Sequence, residues 1–437
     1  MNIKKLLSVL SAVTLFGCCF TACDKEEESS SSADEIVSSE ESSSETETKS
    51  QIKGDELCFL SDYDLNPVEG SPKSIALTLF EDVYGGSIKW IPSTKENLYE
   101  DLAKAVQGGE NVDMFPYTDN AVPYGVSKDL FEPLDSYIDF TSERWSGISS
   151  LADKMAYKGS HYAVPTSIGD TNVLIYSRTA VKDADLEDPA ALYKEGKWTW
   201  DAFVDMMGEY SGYGCSGWIG KGLMQSTGQP YMNYDGSAFS SNLDNELLAE
   251  AGGIQDKIHS WYSTEWYDTY DDDLLFLGMG EWAIPQSNKA NEDADIFFVP
   301  FPSKDGSGKY ITADINSKML VKGSKKGAAV AAYLECERIV ATEDKYKAAQ
   351  KKAAVENGMT EEQYDFLQEI KAPENIVVDF TYGMSSSVSN LASGYGSRGA
   401  VNNLNDALFL GFGDAPDDWE GLKDEFKETI ENEAKGY

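Results

Sequence analysis

Short apolar blocks alternate along this chain with stretches in which apolar residues return every three or four positions, the pattern of strands joined by helices. The first block is Leu57-Cys58-Phe59-Leu60, ending at the polar Ser61-Asp62-Tyr63-Asp64. Residues 74–80 then read as a helix and residues 87–91 as a strand. Ser93-Thr94-Lys95-Glu96 has the form of a capping box, after which Leu98, Leu102, Ala105 and Val106 share one helical face as far as Gly108-Gly109. Residues 112–115 read as the next strand. Strand, helix, strand in this order predicts a right-handed parallel unit, hence an α/β fold. Further on, the β-rich runs 162–164 and 173–176 are joined by residues 166–172, rich in Gly, Ser, Thr and Asp with Ile168 as the only apolar anchor, a composition that bends.

The second half repeats the alternation. Thr199 is an N-cap candidate for a helix with Ala202, Phe203, Met206, Met207 and Tyr210 on one face. A glycine-rich segment, Gly212 through Gly220, carries Trp218. Leu243, Leu247, Leu248, Ala251, Ile254 and Ile258 mark another helix, and an apolar block from Leu277 to Ile284 leads to the loop Pro285-Gln286-Ser287-Asn288. Residues 296–301 read as a strand. Ser324 stands where it would cap an alanine-rich helix reaching Ile339, Thr360-Glu361-Glu362-Gln363 is a second capping box, and Pro373 stops its helix. A last helix carries Trp419, Leu422, Phe426 and Ile430. At 437 residues, the chain is too long for one core, and two lobes are expected.

Charge narrows the function. A formal net charge of −39 excludes a nucleic-acid binder, because a phosphate surface repels such a protein. At the N-terminus Lys4 and Lys5 precede an apolar run to Phe16 that is too short to span a bilayer, followed by small residues and cysteine. Leu15-Phe16-Gly17-Cys18 resembles a bacterial lipobox, with Phe20-Thr21-Ala22-Cys23 the alternative. The signal is therefore assigned to residues 1–23, with lipid on Cys18 (or Cys23). Residues 24–50 carry ten acidic and two basic side chains among many serines, so residues 24–51 read as a disordered tether with a reach on the order of 30 Å. Cys58, Cys215 and Cys336 are too few and too widely spaced for a disulfide framework and read as buried thiols.

Taken in this order, residues 159–181, the Trp198-Thr199-Trp200 helix start, the Gly280-Glu281-Trp282-Ala283 strand end and the Ser324 segment resemble the extracellular solute-binding proteins of ABC importers, family 1, of maltose-binding type. The resemblance implies a two-lobed periplasmic-binding-protein-like fold (type II) with three crossovers at a hinge: residues 166–172, 310–314 and 376–380. Lobe 1 would comprise residues 52–168 and 313–376, and lobe 2 residues 169–312 and 377–437. It further implies a lipid-anchored monomer on the extracellular face of a cell membrane of Gram-positive type, delivering a carbohydrate to membrane permease subunits.

Ligands of α/β sheets lie beyond the carboxyl ends of strands, which selects Asp62, Tyr63, Tyr117 and Asp119. Sugars need an aromatic platform edged by carboxylates or amides, and the resemblance places Trp218, Gln286 and Ser287 on cleft loops. Trp261, Trp282 and Trp419 fall at core-like positions. Catalytic, metal and cofactor residues are not expected. His161 and His259 form no spaced pair, Asp271-Asp272-Asp273 lacks the rest of a calcium loop, and the glycine motif at residues 394–399 follows no strand. A cell-surface glycoside hydrolase and an acidic surface scaffold remain the alternatives.

Overall fold

The strand β1 (Glu56–Ser61), buried from Leu57 onward, lies parallel to β2 (Ser87–Pro92). The helix α1 (Ile75–Tyr84) joins them, opened by Ser74, whose hydroxyl accepts the Leu77 amide at 3.2 Å, and closed by Gly85 at a φ of 70°. Its buried Leu77, Phe80 and Tyr84 turn inward. Next, α2 (Leu98–Gly108) leads to β3 (Met114–Pro116), also parallel to β1. The capping box at residues 93–96 does not form. Ser93 Oγ donates instead to Asp101 at 2.7 Å, Thr94 Oγ1 accepts the Asn97 amide at 3.3 Å, and the helix starts only at Leu98. With β4 (Phe131–Glu132) and the returning β12 (Lys318–Val321), the first sheet has the order β2-β1-β3-β12-β4.

The computed structural model describes residues 54–385 and 419–437, together with Ile52 and Val388. The lipobox cysteines, the acidic tether and the glycine motif at 394–399 lie outside the described residues.

Between the lobes runs one long strand, β5 (Ser167–Ser177). The polar segment expected to bend is extended, because its neighbours pair it. Its first half pairs with β11 (Ala313–Asn316), Asn316 opposite Ser167 and Ala313 opposite Thr171, while its second half enters the other sheet. A crossing backbone must find hydrogen-bond partners, and here two crossings supply them to each other. The third crossing lies beside the second: the Ile311 amide donates to the Asn375 carbonyl at 3.0 Å and the Val377 amide to the Ile311 carbonyl at 2.9 Å. Residues 162–164 form no strand; Ala163 and Val164 are buried in the lobe 1 core.

In lobe 2, Thr199 caps α3 (Trp200–Glu209) by accepting the Ala202 amide at 3.2 Å, and Phe203, Met206 and Met207 face the core. Strands β6 (Tyr213–Gly217), β9 (Leu274–Gly280) and β10 (Ile296–Val299) form a sheet of order β10-β5-β9-β6, while β7 (Met232–Tyr234) and β8 (Phe239–Ser241) pair with each other apart from it. Around it stand α4 (Ile219–Gln225), α5 (Glu246–Ile258) and α6 (Ala283–Ala290). Back in lobe 1, α7 (Gly327–Thr342) packs on α1. Ser324 does not cap it; its hydroxyl donates to the buried Asp113 at 2.8 Å.

The lobe boundary differs from the one expected. Helix α8 (Asp344–Glu356), which has no buried residue, carries the chain to α9 (Glu361–Ile370), whose Phe366, Leu367 and Ile370 belong to the lobe 2 core. Gln363 of α9 donates to the Ile296 carbonyl at 2.7 Å, and Arg178 meets Glu362 at 2.9 Å. The stretch 313–376 is thus divided between the lobes. The last helix, α10 (Trp419–Ala434), buries Trp419 and Ile430 in lobe 2, and Cys58, Cys215 and Cys336 are all buried free thiols.

Candidate functional site

The carboxyl ends of β1 and β3 in lobe 1 and of β6 and β9 in lobe 2 converge on the paired crossings. On the lobe 1 side, Asp62 and Tyr63 follow β1 directly. Tyr63 stands edge-on to Phe59 at 5.4 Å, and burial raises its phenol against the opposing pull of Lys318. Tyr117 follows β3, held by its amide to the Ser317 carbonyl at 3.2 Å; burial first, then Asp119, raises its phenol too. Asp119 opens a short 3-10 turn, Asp119–Ala121. Its side chain is open to water yet deep among protein, so burial raises the carboxyl, Lys221 of lobe 2 lowers it and Asp314 of β11 raises it. Asp119 thus senses the other lobe and the hinge.

On the lobe 2 side, β6 ends at Gly217, whose φ of 86° lets the Trp218 amide donate to the Gly278 carbonyl at 2.8 Å. A Cβ at Gly217 would lie 2.2 Å from that carbonyl oxygen. Gly217→Ala is therefore expected to cost about 2 kcal/mol or more, from left-handed strain and the clash together, and to displace Trp218. Gly236, at a φ of 94° with open space around it, is the control that has strain alone. Thermal melts in which the two alanine variants fall equally would show that the close approach of β6 and β9 does not matter. Trp218 is half-buried and tilted against Trp266 at 6.4 Å.

Gln286 and Ser287 are not on a loop. Residues 283–290 form α6, with Pro285 tolerated in its first turn. Ser287 is fully buried and accepts the Tyr270 amide at 2.9 Å, which removes it from the cleft, while Gln286 is exposed on the second turn of the helix. The residue that β9 delivers to the cleft is Trp282, half-buried rather than core. A Cβ placed on Gly280 would meet its Nε1 and a carboxylate oxygen of Asp170, each at 2.5 Å. Gly280 leaves room for both.

Asp170 and Asn172 were not anticipated as site residues. They lie two apart on β5, hence on the same face. Asp170 Oδ1, Asn172 Oδ1 and, from lobe 1, Asn120 Nδ2 are buried without a hydrogen-bond partner. Burial, then Glu281 and Asp314, push the Asp170 carboxyl up to about 7, against Lys371 and the Trp282 amide. Lys371 reaches both oxygens of Glu281, at 2.9 and 3.1 Å. Gln225 of α4 accepts from Thr312 Oγ1 at 2.6 Å, tying lobe 2 to the second crossing, and Lys221 lies over the Tyr382 ring at 5.8 Å. The alternation Ile168, Asp170, Asn172, Leu174, Tyr176 was the available signal for this face.

A separate cavity of about 510 Å³ lies between the lobes beside residues 374–380, near Tyr234, Tyr310 and Phe380. Its one ammonium, Lys154, is already held by the Glu374 and Ile376 carbonyls at 3.0 Å each. None of the strand-end residues above lines it. His161 is held between Asp135 at 2.7 Å and Asp153 at 3.2 Å. Among the described residues no three of His, Cys, Asp or Glu converge to hold a metal ion, and no helix is long and apolar enough to cross a membrane.

The family model described as bacterial extracellular solute-binding protein matches residues 76–336, more than half of the chain. No curated protein sequence matches. Among solved structures, the galacto-N-biose-/lacto-N-biose I-binding protein of an ABC transporter from Bifidobacterium longum is similar with a TM-score of 0.59 at 13% identity, covering 87% of this chain and 98% of that one. A sugar-binding protein of Xanthomonas citri is similar with a TM-score of 0.59 at 14% identity, covering 86% and 98%. A cyclic α-maltosyl-1,6-maltose binding protein of Arthrobacter globiformis gives 0.57 at 14%, covering 88% and 98%. At these identities the likeness is one of fold, the two-lobed periplasmic-binding type.

Proposed function

This chain belongs to the bacterial extracellular solute-binding proteins, and from that premise we propose that it captures a sugar or oligosaccharide between its lobes and hands it, unaltered, to the permease subunits of an ABC importer. One observation carries the reading: two indoles, Trp218 and Trp282, stand at strand ends beside unpartnered buried acceptors of Asn172 and Asp170, while Asn120, in the turn after β3 of lobe 1, holds an unpartnered buried donor. An apolar platform with acceptors and donors at its edge suits the C–H faces and hydroxyls of a pyranose. Names of the similar structures, each that of a sugar-binding protein, support the same class.

Capture works through the hinge. A ligand touching both lobes favours the closed arrangement by its extra contacts there, and small dihedral changes in three adjacent crossings suffice to reach it. Lipid on Cys18 (or Cys23), supported by the basic, apolar, small-residue and cysteine order, and the acidic tether of residues 24–51 would hold a monomeric binding module near its transporter at the outer membrane face.

A thermal-shift screen over mono- and oligosaccharides tests the reading. At a hundred times its dissociation constant a true ligand stabilises by about 2.7 kcal/mol, several degrees in melting temperature. Trp282→Ala should lose most of the shift, because stacking contributes about 1 kcal/mol beyond the large buried area of the ring. Chromatography should then return the oligosaccharide whole. Cleaved product would replace the binding reading with a glycoside hydrolase, and an unchanged shift in Trp282→Ala would move the site elsewhere.

A further inference from the structure

We propose that the cleft admits saccharides that are uncharged or carry an amino group and excludes those carrying a carboxylate, phosphate or sulfate; this rests on the saccharide reading of the same cleft. Four carboxylates meet around the hinge: Asp314 of β11 acts on Asp119 of lobe 1, on Asp170 of β5 and on Glu281 just after β9, and Glu281 acts on Asp170 as well. Two ammonium groups, Lys371 and Lys221, offset them only in part. Lys371 is taken by both oxygens of Glu281, at 2.9 and 3.1 Å, while Lys221 stands between lobes where it attracts Asp119 and Asp314 together. Farther along the lobe 1 wall, Lys318 is likewise matched by Glu337 at 3.2 Å. An anionic ligand would meet four carboxylates against two ammonium groups, an excess of negative charge at short range.

The unpartnered atoms point the same way independently of charge. Asn172 Oδ1 and, once its carboxyl is ionised, Asp170 Oδ1 are acceptors, both buried and on one face of β5, and both need a donor. A hydroxyl supplies one proton and an ammonium three, whereas a carboxylate or a sulfate ester at neutral pH supplies none. Asn120 Nδ2, an unpartnered buried donor in the turn after β3, needs only a hydroxyl or ring oxygen. Asn172 also borders a small void shared with Gln225, Tyr310 and Thr312.

The test is calorimetric titration with matched probes. Glucose, galactose and mannose series, as monosaccharides and as di- to tetrasaccharides, are each offered in neutral, amino-substituted, uronate and 6-phosphate forms. For every neutral probe that binds, the uronate and phosphate counterparts are expected to bind at least tenfold more weakly, since one added like charge at this range opposes binding by that order, and the amino form is expected to match or exceed the neutral one. Asp314→Asn should narrow the neutral-to-uronate ratio severalfold, as should raised salt. A uronate or phosphate that binds as well as its neutral counterpart overturns the charge rule and leaves the saccharide reading standing. A ratio unmoved by both Asp314→Asn and salt also overturns it, the discrimination then being steric. Failure of the whole panel overturns both readings.

Discussion

Asp170→Asn is expected to stabilise the ligand-free protein above neutral pH and at the same time to weaken ligand capture. The Asp170 carboxyl is pushed up to about 7, first by burial and then by Glu281 and Asp314. Between the ordinary carboxylate range and pH 7 the folded protein therefore holds a proton that the unfolded chain has released, so stability falls as pH rises through that window and the loss is complete above it. A displacement of about three units corresponds to at most about 4 kcal/mol, and rearrangement of the Lys371–Glu281 pair reduces this to about 2 kcal/mol. An asparagine has the same shape and no such loss. Its melting temperature should exceed that of the wild type by several degrees at pH 8, with the gap closing as the pH falls toward 4. At pH 8, where the Asp170 carboxyl is ionised, sugar affinity should drop about tenfold, because a hydrogen bond to a charged acceptor is replaced by one to an amide. A gap of constant size across pH would show that Asp170 does not titrate there. A more stable variant that binds less well is the usual trade at a binding site.

Asp113→Ala is expected to have the largest effect on the fold. Asp113 is 1% exposed, and its carboxylate accepts from the Cys58 amide at 2.9 Å, Ser324 Oγ at 2.8 Å and Lys326 Nζ at 2.9 Å. It joins β1, the approach to β3 and the start of α7. Removing one partner of a buried pair costs about 3–5 kcal/mol, here toward the lower end because Lys326 also donates to the Glu56 carbonyl at 2.6 Å. Since each lobe has its own apolar core, the cost falls on lobe 1. Calorimetry should then resolve two transitions, lobe 1 melting first and lobe 2 near the wild-type temperature. One transition within a degree of the wild type would refute the role assigned to Asp113, and Asp113→Asn should recover part of the loss.

Local rules were legible where a few neighbouring residues settle the outcome. Thr199 and Thr360 cap the helices that follow them, the latter with both bonds of the box, because such bonds span only three residues. The Ser93 box had the same letters and failed, since Asp101 on the helix face offered Ser93 a charged acceptor. Pro285 hid α6, because a proline in the first turn of a helix looks like a loop in sequence.

What the sequence by itself determined is the α/β alternation and the strand ends that bear Asp62, Tyr63, Tyr117 and Asp119, while the resemblance in the order of segments supplied the two-lobed family and the place of Trp218, whose strand β6 the glycine-rich residues 212–217 did not reveal. The alternation and the strand ends follow from side-chain period and from turn chemistry, both short-range. Tertiary structure alone decided the rest. Residues 167–172 are a strand because β11 pairs them, not by propensity. Helix α9 belongs to lobe 2 because Phe366, Leu367 and Ile370 find Phe297 and Phe298 there, and a single apolar face cannot name its partner. Asp170 becomes a carboxyl with a raised pKa, and Trp282 a half-open indole, only when β5, β9 and β11 bring Glu281 and Asp314 beside them, for charge interaction and burial depend on distance in space rather than separation in sequence.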